Sequence, residues 1–375
     1  MPSGDILDRS FYPPLSSDIL SWIREFTPGP LTPDELNQFY EDGFVLKPNL
    51  LTKEQLDSVI NGLERLVDEL AQELFKAGKI NDLCENIGFY QRLTAIESQF
   101  PAASVLLHKR GILPAEIAAL WSCDALLGVA KQLLGTEIAG HPVWNIRTKV
   151  PHQEQATVPW HQDTAYLNPE CWKTLQVTAW IPLLDANLEN GCMQLLRGGH
   201  RPGVTCAHNC CAGGTWYVEL PEENMSKTLG IPVNEKSVIT CEVPFGSVLF
   251  LNNLIPHKSL ENYSNNIRWS LDLRWQKPNE PNGFYGLKEN IVMAKGSDLN
   301  YKPDWNEWSK INRSKLQEAA VQQHIKDQIP ELKNKVESDP FDTTIAGPWM
   351  NNWPIVHHNR HTAALTTNET NWHKS

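Results

Sequence analysis

Between about residues 136 and 278 the chain reads as a series of short β-rich runs, at 143–150, 175–182, 193–196, 237–243, 247–251 and 267–276. Glycine, asparagine and proline turns separate them. No long helical pattern intervenes, so βαβ units fit poorly. An antiparallel double-sheet barrel or sandwich is the expectation for this stretch.

The flanks differ in texture. Residues 1–31 are irregular, broken by Pro13-Pro14 and Pro28-Gly29-Pro30. Thr32-Pro33-Asp34-Glu35 is a capping box with proline at the first helical position, and the helix it opens ends at Gly43. A brief strand, Phe44-Val45-Leu46, follows. Thr52-Lys53-Glu54-Gln55 is a second capping box. Beyond it Leu56, Val59, Ile60, Leu63, Leu66, Val67, Leu70 and Leu74 recur at helical spacing. Another helical stretch is expected over 115–134, closed by Gly135. After Pro278 comes a polar helix over 315–335 and then a tryptophan-rich tail around Trp349 and Trp353. The plan is an N-terminal arm (1–31), a helical support (32–135), a β-core (136–278) and a C-terminal extension (279–375), with no internal repeat.

Charge narrows the partners. Lys and Arg number 33 against 44 Asp and Glu, a net −11 over 375 residues. Nucleic acid and anionic membranes are therefore not expected to bind. No apolar run approaches the roughly 18 residues that span a bilayer. The first residues lack the pattern of a signal peptide, and His373-Lys374-Ser375 is not the peroxisomal Ser-Lys-Leu. The chain is expected to be intracellular and cytoplasmic. Eight cysteines are too few for a disulfide scaffold. Cys84, Cys123, Cys192 and Cys241 read as reduced core residues. Cys206-Ala207-His208-Asn209-Cys210-Cys211 lacks the second ligand pair usual in zinc sites, so it is taken as a loop with incidental thiols.

Chemistry enters at Trp160-His161-Gln162-Asp163. On a strand, residues i and i+2 share a face, so the His161 imidazole and the Asp163 carboxylate can converge. Ninety-four residues beyond Asp163, the apolar run from Gly246 to Leu251 leads through Asn252-Asn253-Leu254-Ile255-Pro256 to His257. Ser259 and, one strand later, Arg268 follow. Two histidines and a carboxylate on one face of an octahedral ion leave three positions open, the arrangement of non-haem Fe(II) oxygenases. Zinc is the runner-up on ligand type. An arginine one strand away suits the far carboxylate of a 2-oxo acid, with Arg147 and Lys149 next in line.

These fragments resemble the phytanoyl-CoA dioxygenase family of Fe(II)/2-oxoglutarate-dependent oxygenases. Gln38 to Val45 and Leu51 to Leu56 resemble the family's N-terminal entry. Trp160 to Asp163 matches its proximal metal motif, Glu189 to Met193 and Gly198-Gly199-His200 its central turn and strand, and Gly246 to His257 with Ser259 and Arg268 its distal half. The resemblance implies a mainly β fold with helical flanks, a double-stranded β-helix (a jelly-roll, cupin-like barrel). It implies His161, Asp163 and His257 as iron ligands, and Arg268 and Ser259 as holders of the distal carboxylate of 2-oxoglutarate. Asn145, Trp180 and Arg92 fall where the family places co-substrate contacts. The implied cofactors are Fe(II), 2-oxoglutarate and O₂. The implied reaction oxidises, most simply hydroxylates, a C–H bond of a small molecule with release of succinate and CO₂. Phytanoyl-CoA itself is not the expected substrate. The alternatives are a non-catalytic jelly-roll that binds a ligand or partner, and a zinc hydrolase.

Other features receive structural readings. His200, His152, His141 and His108 are expected in packing or turns, and His357, His358 and His361 in solvent. The 14 tryptophans are expected to pack the C-terminal extension on the β-core rather than to cage a cation.

Overall fold

The structure, a computed structural model, describes residues 28–153, 156–328 and 339–365. Most of the expected irregular arm (1–27), the 329–335 part of the polar helix and the C-terminal tripeptide lie outside the described residues. Within them the elements run α1 (Pro33–Asp42), β1 (Phe44–Lys47), α2 (Lys53–Lys76), α3 (Phe89–Gln99), α4 (Ala103–His108), α5 (Ala115–Trp121) and α6 (Asp124–Leu134). Strands β2 (Ile138–Gly140), β3 (Asn145–Lys149), β4 (Val177–Pro182) and β5 (Met193–Leu196) follow, then α7 (Glu222–Leu229). Strands β6 (Val238–Cys241), β7 (Val248–Asn252), β8 (His257–Ser259), β9 (Arg268–Gln276) and β10 (Ile291–Ala294) precede α8 (Asn306–Lys310) and α9 (Arg313–Gln328). No single described helix is long and apolar enough to cross a membrane.

Both capping boxes form as the sequence predicts. Thr32 and Glu35 close one and Thr52 and Gln55 the other, so each satisfies two otherwise orphaned N–H donors reciprocally. Along α2, Leu56, Val59, Leu63, Val67, Leu70 and Leu74 are buried, each contributing about 1.5–3 kcal/mol of apolar burial; Ile60 and Leu66 sit at the rim of that face. The single helical stretch expected over 115–134 is two helices bent by 48°. Ser122 leaves helical geometry and turns its hydroxyl back to the Ala118 carbonyl, while Cys123 is extended at the head of α6.

Ten strands form two antiparallel sheets. The larger runs β1-β7-β4-β9-β2-β10, with β3 also on β9; the smaller runs β6-β5-β8. The expectation placed Phe44-Val45-Leu46 in the helical support, but β1 pairs with β7, Phe44 opposite Leu251, and is an edge strand of the large sheet. Helical support and β-core therefore share one hydrophobic core.

Strand β9 explains the layering. All nine of its residues are buried, and they alternate strictly in character. Trp269, Leu271, Leu273 and Trp275 enter the core shared with the helices. Arg268, Ser270, Asp272, Arg274 and Gln276 therefore take the other face. The neighbouring strands follow suit. Ile146 on β3, Val177, Ala179 and Ile181 on β4, and Val248 and Phe250 on β7 join the helical core. Arg147, Lys149, Thr178, Trp180 and Leu251 line a cavity on the opposite side.

The C-terminus of α1 docks on the turn around His200, with Gly43 at the closest approach. Gly43 stands at φ +87°, its carbonyl accepts from the Asn252 N–H, and the His200 ring hydrogen-bonds the Tyr40 carbonyl. A Cβ at Gly43 would overlap the His200 ring and the Ile255 side chain. Gly78, also at positive φ, faces open space. Gly43→Ala is therefore expected to destabilise the protein by about 2–4 kcal/mol, from the left-handed backbone and the overlap together. Gly78→Ala should cost only about 1 kcal/mol. Urea unfolding of the two variants beside wild type checks both, and equal losses would refute the steric account.

Candidate metal and co-substrate site

His161 and His257 are joined backbone to backbone. They form an isolated antiparallel bridge, each N–H donating to the other's carbonyl at 3.0 and 2.9 Å. Asp163 is not on a strand, as the i, i+2 argument assumed; it opens a short 3₁₀ turn, Asp163–Tyr166. The side chains converge nonetheless. Asp163 Oδ1 lies 3.8 Å from His161 Nε2 and 3.9 Å from His257 Nε2, and all three residues are buried.

Each ligand is oriented by a second contact. His161 Nδ1 meets the Pro159 carbonyl at 2.9 Å and His257 Nδ1 the Ile255 carbonyl at 3.0 Å. A carbonyl can only accept, so both rings are protonated at Nδ1 and present an Nε2 lone pair. Asp163 Oδ2 accepts from Thr178 Oγ1 at 3.0 Å and from Arg274 Nε and Nη2 at 3.2 and 3.0 Å, which leaves Oδ1 for the space between the imidazoles. Burial on its own raises the Asp163 pKa, but the charge and hydrogen bonds of Arg274 oppose it, and the carboxyl is held well below its ordinary range. Burial, with His257 beside it, keeps His161 neutral by lowering its pKa. Two imidazoles and one carboxylate are the donor set of a non-haem Fe(II) centre. Among the described residues this is the one cluster of His, Cys, Asp and Glu with metal-ligand geometry.

The cysteine-rich loop buttresses this site. Gln162, between the two ligands, donates its backbone N–H to His208 Nε2 at 3.1 Å. Its side chain accepts from the Cys206 N–H and donates to the Val204 and Leu254 carbonyls. Cys210 and Cys211 are joined in a disulfide, a pairing the sequence reading did not include. The tryptophan-rich tail packs on the core, as expected. Trp353 donates to the Ala165 carbonyl at 2.8 Å and stacks on Trp172, against the 3₁₀ turn that carries Asp163.

Arg268, Ser259 and Trp180 share a cavity of about 1050 Å³ with the histidines and Asp163. Arg268 is buried, its Nη atoms donating to Ser270 Oγ (2.7 Å) and the Gly191 carbonyl (3.2 Å), and its guanidinium lies 5.1 Å over the Trp180 ring. Nε has no partner, and no carboxylate pairs with Arg268 among the described residues. Burial pushes its pKa down to about 10. Lys149 sits opposite it in the β3–β9 register, and its Nζ donates to the Ala156 carbonyl and Thr157. Burial and the nearby Arg268 depress its pKa. Ser259 Oγ accepts from the Val158 N–H.

Two expected contacts do not join this group. Arg92 lies on α3 and is spent on Asp68 and the Leu83 carbonyl, away from the cavity. Asn145 has both ends of its amide committed, Nδ2 to Asp272 and Oδ1 to Arg313, and lines a smaller neighbouring cavity instead. His361 is a correction of another kind. It is buried rather than exposed, accepts the Ile345 N–H on Nδ1 at 2.9 Å and joins the wall of the large cavity, whereas His357 and His358 are exposed. The residues that sequence reasoning passed over are Thr178, Arg274 and Asp272, which pairs with Arg147 at 2.8 Å. The polar–apolar alternation of β9 was the available signal for Asp272 and Arg274.

Comparison with known proteins agrees with this arrangement. The profile of the phytanoyl-CoA dioxygenase (PhyH) family matches residues 39–270. A phytanoyl-CoA dioxygenase domain-containing protein 1 homolog of Dictyostelium discoideum is 22% identical over 280 residues, covering 65% of this chain and 91% of that protein. An ectoine dioxygenase of Nocardia farcinica is 24% identical over 274 residues, 69% of this chain and 82% of that one. Among solved structures, the non-heme monooxygenase ThoJ in its apo form superposes with a TM-score of 0.49 at 18% identity, over 76% of this chain and 98% of its own. The profile match exceeds half the chain and contains His161, Asp163, His257 and Arg268, so this protein belongs to the phytanoyl-CoA dioxygenase family of iron- and 2-oxoglutarate-dependent oxygenases.

Proposed function

We propose that this protein hydroxylates a C–H bond of a small-molecule substrate, using Fe(II), 2-oxoglutarate and O₂, within a double-stranded β-helix whose halves are the two sheets. The observation that carries the reading is the buried, carboxylate-free Arg268 in the same cavity as the His161–Asp163–His257 donor set. A buried guanidinium without a counter-ion is costly. The distal carboxylate of 2-oxoglutarate supplies that counter-ion in a bidentate pair.

Iron with 2-oxoglutarate bound supplies the oxidising chemistry, in which O₂ is consumed and succinate and CO₂ are released. The chain's own residues do the rest. His161, Asp163 and His257 offer one donor each and leave the remaining positions free for co-substrate and O₂. Arg274 and Thr178 pin one oxygen of Asp163 so that the other faces the histidines. Arg268 and Ser259 take the distal carboxylate, with the Trp180 ring beneath the guanidinium. Lys149 lines the cavity on the same side. The carboxylate at Asp163 fills the position that halide occupies in related halogenases, so the product carries a hydroxyl and no halogen.

Loss of a ligand should be distinguishable from loss of its support. His257→Ala is expected to abolish Fe(II) retention. Arg274→Gln should weaken it by about 10–100-fold, the usual effect of removing an outer partner of a ligand. Metal titration under argon with circular dichroism as a fold check measures both, and unchanged iron in His257→Ala refutes the assignment.

A separate measurement addresses the co-substrate. Removing one partner of a buried charge pair typically costs ~3–5 kcal/mol, and each ~1.4 kcal/mol is tenfold. Arg268→Ala should therefore weaken 2-oxoglutarate binding by roughly two to three orders of magnitude, with iron affinity nearly unchanged. The Fe(II)–2-oxoglutarate charge-transfer absorbance, titrated anaerobically, reads this directly. An unchanged midpoint places the co-substrate elsewhere.

A further inference from the structure

Behind the metal-type donors lies a second cavity of about 100 Å³ that shares Asp163, Arg147, Arg274 and Tyr217 with the larger one. Tyr166, Trp216, Tyr217, Phe284 and Trp349 stand in its wall among charged and polar side chains. Its charges nearly all cancel in pairs. Lys109 meets Glu318 at 2.9 Å, Arg147 meets Asp272 at 2.8 Å and Arg274 meets Asp163 at 3.0 Å.

Arg313 is the exception. It is 5% exposed, and its guanidinium has no acidic partner among the described residues. One side-chain hydrogen bond holds it, from Nη2 to Asn145 Oδ1 at 3.1 Å. The Trp144 ring lies 4.8 Å beneath it, and Nε is without a partner. Burial, with Arg274 and Arg147 nearby, depresses its pKa to about 9. A buried cation beside two more guanidinium groups is unfavourable until an anion joins it. Arg268 does not line this cavity, so the anion is not the 2-oxoglutarate carboxylate already placed.

We propose that this cavity receives the carboxylate end of the oxidised substrate, a small monocarboxylic acid with an aromatic or similarly flat apolar body, held by Arg313. The inference rests on the oxygenase reading above and names the substrate class for that site. One uncompensated cation and about 100 Å³ suit the carboxylate of a monoanion, whose body reaches into the larger cavity that shares this wall. Trp216 and Tyr217, which line both cavities, flank that body. The shared Asp163 sets the bound molecule directly beside the metal-type donors. Arg313 starts α9 and Trp349 lies later still, both beyond residue 270, where the family match ends. Substrate choice therefore comes from the C-terminal extension, while the metal ligands belong to the stretch shared with the family.

The test uses the full-length protein, first without metal and then with Fe(II) and 2-oxoglutarate under argon. The probes are benzoate, phenylacetate and 3-phenylpropionate, each beside its uncharged primary amide, with binding read by calorimetry. At least one acid is expected to bind tenfold or more tightly than its amide. The preference should vanish in Arg313→Met and fall at least tenfold in Arg313→Lys, which keeps the charge without the fork and serves if the methionine variant does not fold. Equal binding of every acid and amide, no binding by any acid, or a preference that survives in Arg313→Met overturns the proposal. So does competition by chloride or inorganic phosphate as strong as that of the acid, which would make this an inorganic anion site. A 2-oxoglutarate titration on the same samples separates the two readings. Its failure in wild type sinks the oxygenase assignment, whereas a normal titration beside absent acid selectivity sinks only the role of Arg313.

Discussion

Arg268, Asp272 and Arg274 project from one face of a single strand and are all buried, and the site is organised around their compensation. Charges removed from water are tolerated when each has a partner of fixed geometry. Asp272 answers Arg147 and accepts from Asn145; Arg274 answers Asp163. The strand's other face, Trp269 to Trp275, is anchored in the helical core, so these partners are held by a rigid element. Arg268 is left over on one side of the network and Arg313 on the other. Neither has an acidic partner within ion-pair distance among the described residues, and each shares a cavity with Asp163.

Support for the donors comes from distant parts of the chain. Cys206 and His208 fix Gln162 between the ligands, Trp353 presses on the turn that begins with Asp163, and the bridge between His161 and His257 ties the proximal ligand segment to β8. A ligand set supplied by one bridge and one turn gains precision from such outer contacts.

Much of this was legible in the sequence. The two capping boxes, the apolar stripe of α2 and the order of the β-rich runs are local patterns, and local patterns survive folding. His161, Asp163, His257 and Arg268 could be singled out because their spacing matches a known family. Asn145 and Arg92 were misplaced because what a polar side chain meets depends on non-local neighbours, here Arg313 for one and Asp68 for the other. His361 was read as exposed because its surroundings in the sequence are polar, while its actual partner is the Ile345 amide. The alternation from Arg268 to Gln276 was readable in principle, and it would have nominated Asp272 and Arg274 for the inner face.

The pairing of β1 with β7 bears on how the protein folds. Phe44 meets Leu251, a contact separated by more than half the chain, whereas α1 and α2 carry their own capping signals. Helices with local contacts form early, but a sheet closed by distant strands must first overcome a large loop entropy. During synthesis the N-terminal helices can assemble while β1 has no partner, and its unpaired edge stays open until residue 252 has emerged. Capture of the first strand by the seventh is thus a late event in synthesis, and metal binding, which needs His257, becomes possible only after residue 252 has emerged.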